Sequence, residues 1–296
     1  MASQQLEQAI QWEKDFGEAN AAADGIEEFR TVNEKWFRER QGELPADLEI
    51  ESFEADGVNA VSLKLGSSPG PVVLFVHGGG YILGDAADNY EMLGRILRLT
   101  GGRAIGVNYR LAPEHPFPAQ KDDVCTVYRW LLNQGTSPGE IVIVGESAGG
   151  GIALGALARL RDEETPMPGA SVLLSPLLDF GLTGETLESN AGIDPFVTKE
   201  VLGMMLEAAL QGQDPLEASP LEADFTGLPN TLLQVGTSEA ILDDSRRFAA
   251  KAEEAGVSVT IEEWPEMIHL WHGFGYLPEA IEATEKIAGY ISEQAK

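Results

Sequence analysis

The sequence predicts an α/β fold, a mostly parallel eight-stranded sheet held between layers of helix. Short apolar runs recur along the chain, as strands buried on both faces require. Helical patterns lie between those runs, and strands alternating with helices build a parallel sheet covered on both faces. No repeat, low-complexity stretch or linker divides the 296 residues, and a single domain of this length is ordinary for the class.

Residues 5–40 read as two amphipathic helices. Leu6, Ile10 and Phe16 mark the first, and Ile26, Phe29, Val32 and Trp36 the second, with a break at residues 21–25. Residues 48–53 and 59–65 alternate apolar and polar side chains, the pattern of half-buried antiparallel strands. Continuous apolar runs follow at residues 72–76, 104–107, 141–144, 171–174, 231–235 and 257–261. Helical patterns occupy residues 90–100, 119–133, 148–161, 244–255 and 278–294. Residues 180–215 break the rhythm. Here 181–194 reads as loop, and a helix around 199–210 carries Met204, Met205 and Leu206. A helical insertion between sheet elements has the character of a lid.

Composition excludes several classes. There are 48 acidic and 20 basic residues, a formal net charge of -28. Such a surface repels nucleic acid and anionic membrane. Only eight of the cations are Lys, a balance suited to a salty habitat, although an ordinary acidic protein can share it. Cys125 is the single cysteine, so no intrachain disulfide forms, and a buried structural thiol is expected. No run approaches the 18 apolar residues of a membrane span, and the N-terminus shows no signal-peptide pattern. Cytoplasmic residence is the expectation.

Two motifs carry chemistry. Gly145-Glu146-Ser147-Ala148-Gly149 follows the apolar run 141–144 and opens a helical pattern, the strand–turn–helix setting of a nucleophile elbow. Small flanking residues relieve crowding at such a turn, and the helix start favours developing negative charge. Alone, the pentad could be a Gly-rich turn. His77-Gly78-Gly79-Gly80 directly follows the run 72–76, and its glycines let backbone N–H groups approach an oxyanion. No Gly-Lys-Ser or Gly-Lys-Thr follows, which argues against a phosphate loop. The oxyanion donors are assigned to the N–H groups of Gly79, Gly80 and Ala148, with Gly78 an alternative. His77 is expected to orient the loop.

A nucleophile elbow needs an acid and a histidine later in the chain, in that order. Of four histidines, His269 and His272 fall late, before the last helix. Chain order alone permits either as the base. The loop after residues 231–235 offers Glu239, Asp243 and Asp244, with Asp244-Ser245 resembling a helix N-cap.

Together these residues resemble the hormone-sensitive-lipase-like esterases, bacterial lipase family IV of the α/β-hydrolase superfamily. The likeness covers about residues 71–275. It rests on His77-Gly78-Gly79-Gly80-Tyr81, on the specific block Tyr109-Arg110-Leu111-Ala112-Pro113-Glu114, on Gly145–Gly150, Ser175-Pro176, Gly227-Leu228-Pro229 and His269. The family's acid loop, Asp-Pro-Leu-x-Asp, maps its catalytic Asp onto Glu239, with Asp243 second. Its histidine setting matches His269-Leu270-Trp271 better than His272-Gly273-Phe274. The elbow also departs from the family at Glu146, where Asp or Thr is usual.

The resemblance implies an α/β-hydrolase fold with a small helical cap, built from residues 1–45 and part of 180–215 on a 46–296 catalytic domain. It implies a short-chain serine carboxylesterase working through an acyl-enzyme, with Ser147, His269 and Glu239 as triad and no metal or organic cofactor. Tyr81, Phe196 and Met205 are candidate substrate-binding residues, with cap core as the alternative. A lactone, amide or acetyl ester would suit the same triad. A non-catalytic binding protein on this fold is the rival class, and such proteins usually lose a triad member. The last strand offers an edge for a homodimer.

Overall fold

The strands are β1 (Leu48–Ala55), β2 (Val58–Leu65), β3 (Val72–Val76), β4 (Arg103–Val107), β5 (Ile141–Glu146), β6 (Ala170–Leu174), β7 (Thr231–Gly236) and β8 (Val259–Trp264). In the computed structural model, which describes residues 3–296, they form one sheet in the order β1-β2-β4-β3-β5-β6-β7-β8. Strand β2 runs antiparallel to β1 and β4, and the remaining neighbours are parallel. Residues 1 and 2 of the expected cap segment lie outside the described residues.

The apolar runs earn their continuity from burial on both faces. Along β3, Val72, Leu74 and Val76 enter one core, and Val73 and Phe75 enter the other. The first core receives α4 (Ala119–Asn133), α5 (Ala148–Asp162) and α9 (Leu242–Glu254). The second receives α3 (Tyr90–Thr100) and α10 (Pro278–Gln294). At about 25 cal/mol per Å² of apolar surface removed from water, these two layers supply the main drive to fold.

Helices α1 (Gln4–Ala21) and α2 (Ile26–Gln41) break where expected, at Gly25. Their aromatic faces meet the inserted segment, which contains α6 (Thr186–Ser189), α7 (Lys199–Leu210) and α8 (Pro215–Ala218). Phe16 packs on Phe196 with ring centroids 4.6 Å apart. On its other side α1 buries Leu6 and Ala9 with Trp271, Phe274 and Ala280. The two segments therefore form one layer, anchored partly on α10.

Three expectations need correction. The run 257–261 is not a strand buried on both faces. Gly256 adopts φ 78° after α9, and the Val257 N–H bonds back to the Ala252 carbonyl. That is a glycine helix stop with its apolar follower, so Val257 belongs to the stop and β8 begins at Val259. Strand β8 is a sheet edge, with Ile261 36% exposed. Secondly, β1 is the opposite edge and mostly exposed, so its alternation does not mark a half-buried face. Thirdly, the loop 181–194 contains the short helix α6.

Candidate active site

Strand β5 delivers Ser147 at its C-terminal end, where the chain turns sharply into α5. Ser147 has φ 48° and ψ -122°. Its N–H donates to the Leu174 carbonyl at 2.9 Å, and its own carbonyl accepts from Leu177 N–H at 3.0 Å. The turn fits only because its flanks lack side chains. A Cβ on Gly145 would meet the Gly149 carbonyl at 2.5 Å, and one on Gly149 would collide with the carbonyls of Val76 and His77.

Two loops bring the partners. The β7–α9 loop carries Glu239, and the loop after β8 carries His269. The Ser147 hydroxyl lies 2.9 Å from His269 Nε2, and His269 Nδ1 lies 2.9 Å from Glu239 Oε2. Glu239 is fully buried, and its other oxygen accepts from Ser175 Oγ at 2.7 Å and Gly236 N–H at 2.6 Å. Burial acts to depress the His269 pKa, but hydrogen bonding and charge attraction from Glu239 outweigh it, so the net shift is upward. The same burial raises the Glu239 carboxyl, against its three donors.

The residues left open by sequence now separate. His272 faces Gln234 at 3.0 Å, and burial holds it well below the ordinary imidazole range, so it stays neutral and away from Ser147. Asp243 accepts from the Thr186 N–H at 3.0 Å, not from an imidazole. Asp244 is no N-cap, because α9 begins two residues earlier than expected. It accepts from the N–H groups of Leu178 and Asp179, at 2.8 and 2.9 Å.

Beside Ser147 runs the loop from His77 to Leu83. Gly79, at φ 106°, turns it, and a Cβ there would strike the Leu83 carbonyl. Gly78 does not serve as an alternative oxyanion donor: its N–H is held by Glu146 Oε1 at 3.1 Å. Glu146 also accepts from Asn89 Nδ2 at 2.7 Å. Among the described residues the N–H groups of Gly79, Gly80 and Ala148 have no acceptor, which leaves them free to face a ligand oxygen. His77 stacks on Tyr109 at 4.1 Å, and the Tyr109 hydroxyl donates to the carbonyls of His77 and Gly78. The block around Tyr109 thus supports the loop. Arg30 of α2 ties it to the covering layer, donating to Ile82 and Ala112 carbonyls and pairing with Glu114 at 2.8 Å.

A small cavity of about 50 Å³ opens onto Ser147 and His269 and is walled by Phe196 and Met205. Phe196 also borders a larger apolar cleft of about 680 Å³ between α1, α2 and α7. Tyr81 does not line the cavity. Its ring packs edge-on against Phe117 and Phe180, so it belongs to the core. Cys125 is buried, its thiol pushed up to about 11 by burial.

Some site residues escaped the sequence. Glu146 was visible only as a departure from a pattern. Asp194 is buried and accepts from Phe196, Val197 and Ala240 N–H groups, tying the inserted segment to the loop that carries Glu239. Nothing in its sequence neighbourhood signals that role.

A family model described as alpha/beta hydrolase fold matches residues 73–273. An esterase of the bacterial hormone-sensitive lipase family superposes with TM-score 0.94 at 37% identity, each chain covered completely. The chain belongs to the hormone-sensitive-lipase-like family of α/β-hydrolases. It is an ester hydrolase, as the names of its relatives concur. An acetyl-hydrolase of Streptomyces hygroscopicus is 39% identical over 75% of each chain. An esterase of Acinetobacter venetianus is 36% identical over 83% of this chain and 82% of its own. The esterase EstE5, from crystals soaked with p-nitrophenyl butyrate, superposes with TM-score 0.92 at 34% identity over 99% of each chain.

The elbow makes a stability prediction. Gly149→Ala should lower stability by about 1–3 kcal/mol, because the new methyl meets two fixed carbonyls. Thermal unfolding reads this as a Tm several degrees lower. An unchanged Tm would mean that the turn can open without cost.

Proposed function

We propose that this hormone-sensitive-lipase-like hydrolase is a short-chain serine carboxylesterase acting through an acyl-enzyme. The observation that carries this reading is the unbroken line from Ser147 Oγ through His269 to Glu239, with 2.9 Å at each step. Three unpaired N–H groups beside it support an oxyanion hole.

His269 Nε2 takes the Ser147 proton as the hydroxyl oxygen attacks the ester carbonyl. Glu239 fixes the imidazole with Nδ1–H toward itself and stabilises the imidazolium. The carbonyl oxygen, now negative, receives the N–H groups of Gly79, Gly80 and Ala148. Each such donor is worth roughly 100- to 1,000-fold in turnover. The imidazolium then protonates the departing alcohol. Water, deprotonated by His269, attacks the acyl-enzyme and releases the acid.

Met205 and Phe196 support the short-chain preference, since both wall the cavity beside Ser147. Met205 limits it: its side chain sits against Gly80, where any Cβ would strike the sulfur. Phe196 stands between this cavity and the larger cleft.

Wild type should hydrolyse p-nitrophenyl acetate and butyrate well and palmitate poorly, and Ser147→Ala should abolish all three. Activity surviving that substitution would overturn the assignment of the nucleophile. Met205→Ala should shift the preference toward longer acyl chains, read as kcat/KM along the same ester series. An unchanged series would remove Met205 from the acyl pocket. Because only neutral His269 can accept the proton, kcat/KM should fall as pH drops through its pKa. The upward shift places that inflection above about 6.5. A pH profile flat into the acid range would rule out His269 as the base.

A further inference from the structure

The wall of the Ser147 cavity contains three buried polar groups that the acyl-transfer chemistry does not use. They are Glu13 of α1 and Asn33 and Arg40 of α2, each at most 4% exposed. Arg40 makes no hydrogen bond or ion pair among the described residues, and its Nε is buried without a partner. Glu13 Oε2 and Asn33 Oδ1 are likewise buried and unpartnered. The Arg40 guanidinium is nevertheless held in place. It stacks on Phe37 at 4.8 Å and on Phe274 at 5.4 Å, and it presses on Gly273, which has no side chain to exclude it. Polar groups buried this deeply are normally paired. Three orphans fixed around one cavity, beside a nucleophile, point to a ligand that completes them.

Charge indicates what kind of ligand. Burial lowers the Arg40 pKa, and the charges of Glu146 and Asp88 oppose that, so the guanidinium is balanced without Glu13 and the cluster has no surplus to attract an anion. Burial also raises the Glu13 carboxyl well above its ordinary value, which makes it an acid able both to donate and to accept. Asn33 Oδ1 accepts, and Arg40 donates. A neutral hydroxyl satisfies this set, because it does both. Position indicates which half of the ester carries it. The cluster lines the same cavity as His269 and Leu270, and Arg40 packs on Gly273 and Phe274 just beyond them, so it forms the wall on the side of the His269 loop. A departing alcohol must take its proton from His269 Nε2, so it lies against that wall.

We propose that Arg40, Glu13 and Asn33 form a leaving-group subsite selecting esters of alcohols that carry a second hydroxyl. The subsite rests on the esterase reading and adds to it the chemical class of the alcohol.

Matched esters test this. Butyrates of 2-hydroxyethanol and 1,3-propanediol differ from propyl and butyl butyrate by one hydroxyl in place of a methyl. Hydrolysis is followed by proton release in a pH-stat. Wild type should favour the hydroxylated member of each pair by about tenfold or more in kcat/KM, since a site built to bond a hydroxyl rejects the analogue lacking it. That ratio should fall to about one in Arg40→Met and in Glu13→Leu. It does not depend on how much of a variant is folded, so a purely structural role would leave it unchanged. Wild type that cleaves the two members of each pair equally well, or variants that keep the preference, would overturn the subsite while the esterase reading stands. Wild type that cleaves none of the four would overturn both.

Discussion

Ser147 sits in a backbone conformation that L residues rarely adopt, at φ 48° and ψ -122°. Such a residue costs of order 1–3 kcal/mol and persists only where its surroundings fix it. Here they do. Strand β5 is hydrogen-bonded on both sides, to β3 and β6, so the strand cannot slide to relieve the turn. Helix α5 is buried along most of its length, so it cannot tilt. Gly145 and Gly149 remove the side chains that would otherwise collide. The strain holds the hydroxyl clear of the sheet, at the start of a helix, within reach of His269. Every other feature of the site is arranged about that point.

The oxyanion loop depends on the same turn. Glu146, one residue before the serine, reaches out and holds Gly78 N–H, and so sets the loop beside Ser147. Tyr109 supports the loop through two carbonyls, and Arg30 joins it to α2. On the other flank, Asp194 ties the inserted segment to the loop bearing Glu239. Ser147, the loop 77–83, Glu239 and the covering layer therefore form one connected polar framework.

Much of this was legible in the sequence, for definable reasons. Strands buried on both faces leave continuous apolar runs, and five of the six such runs lie wholly within strands. The sixth, 257–261, starts two residues before β8 because Val257 is apolar for a different purpose, stopping α9 after Gly256, and its remainder lies on an exposed edge. The elbow and the loop 77–80 were readable because close backbone approach demands glycine, and glycine at that spacing is conspicuous. The choice between His269 and His272 could not be made from chain order, since it depends on which way a three-residue turn faces. Glu146, Asp194 and Arg40 were illegible. Their roles come from contacts with distant segments, and no local pattern encodes such contacts. Tyr81 illustrates the reverse error: adjacency to a site in sequence did not place its ring there.

We hold that this framework makes Ser147 alone a nucleophile. The direct measurement is intact-protein and peptide mass spectrometry after treatment with an organophosphonyl fluoride, which labels activated serines. The triad predicts a single adduct, on the peptide bearing Ser147, and its loss when His269 is replaced by Ala. No adduct, or one on a different serine, would contradict it.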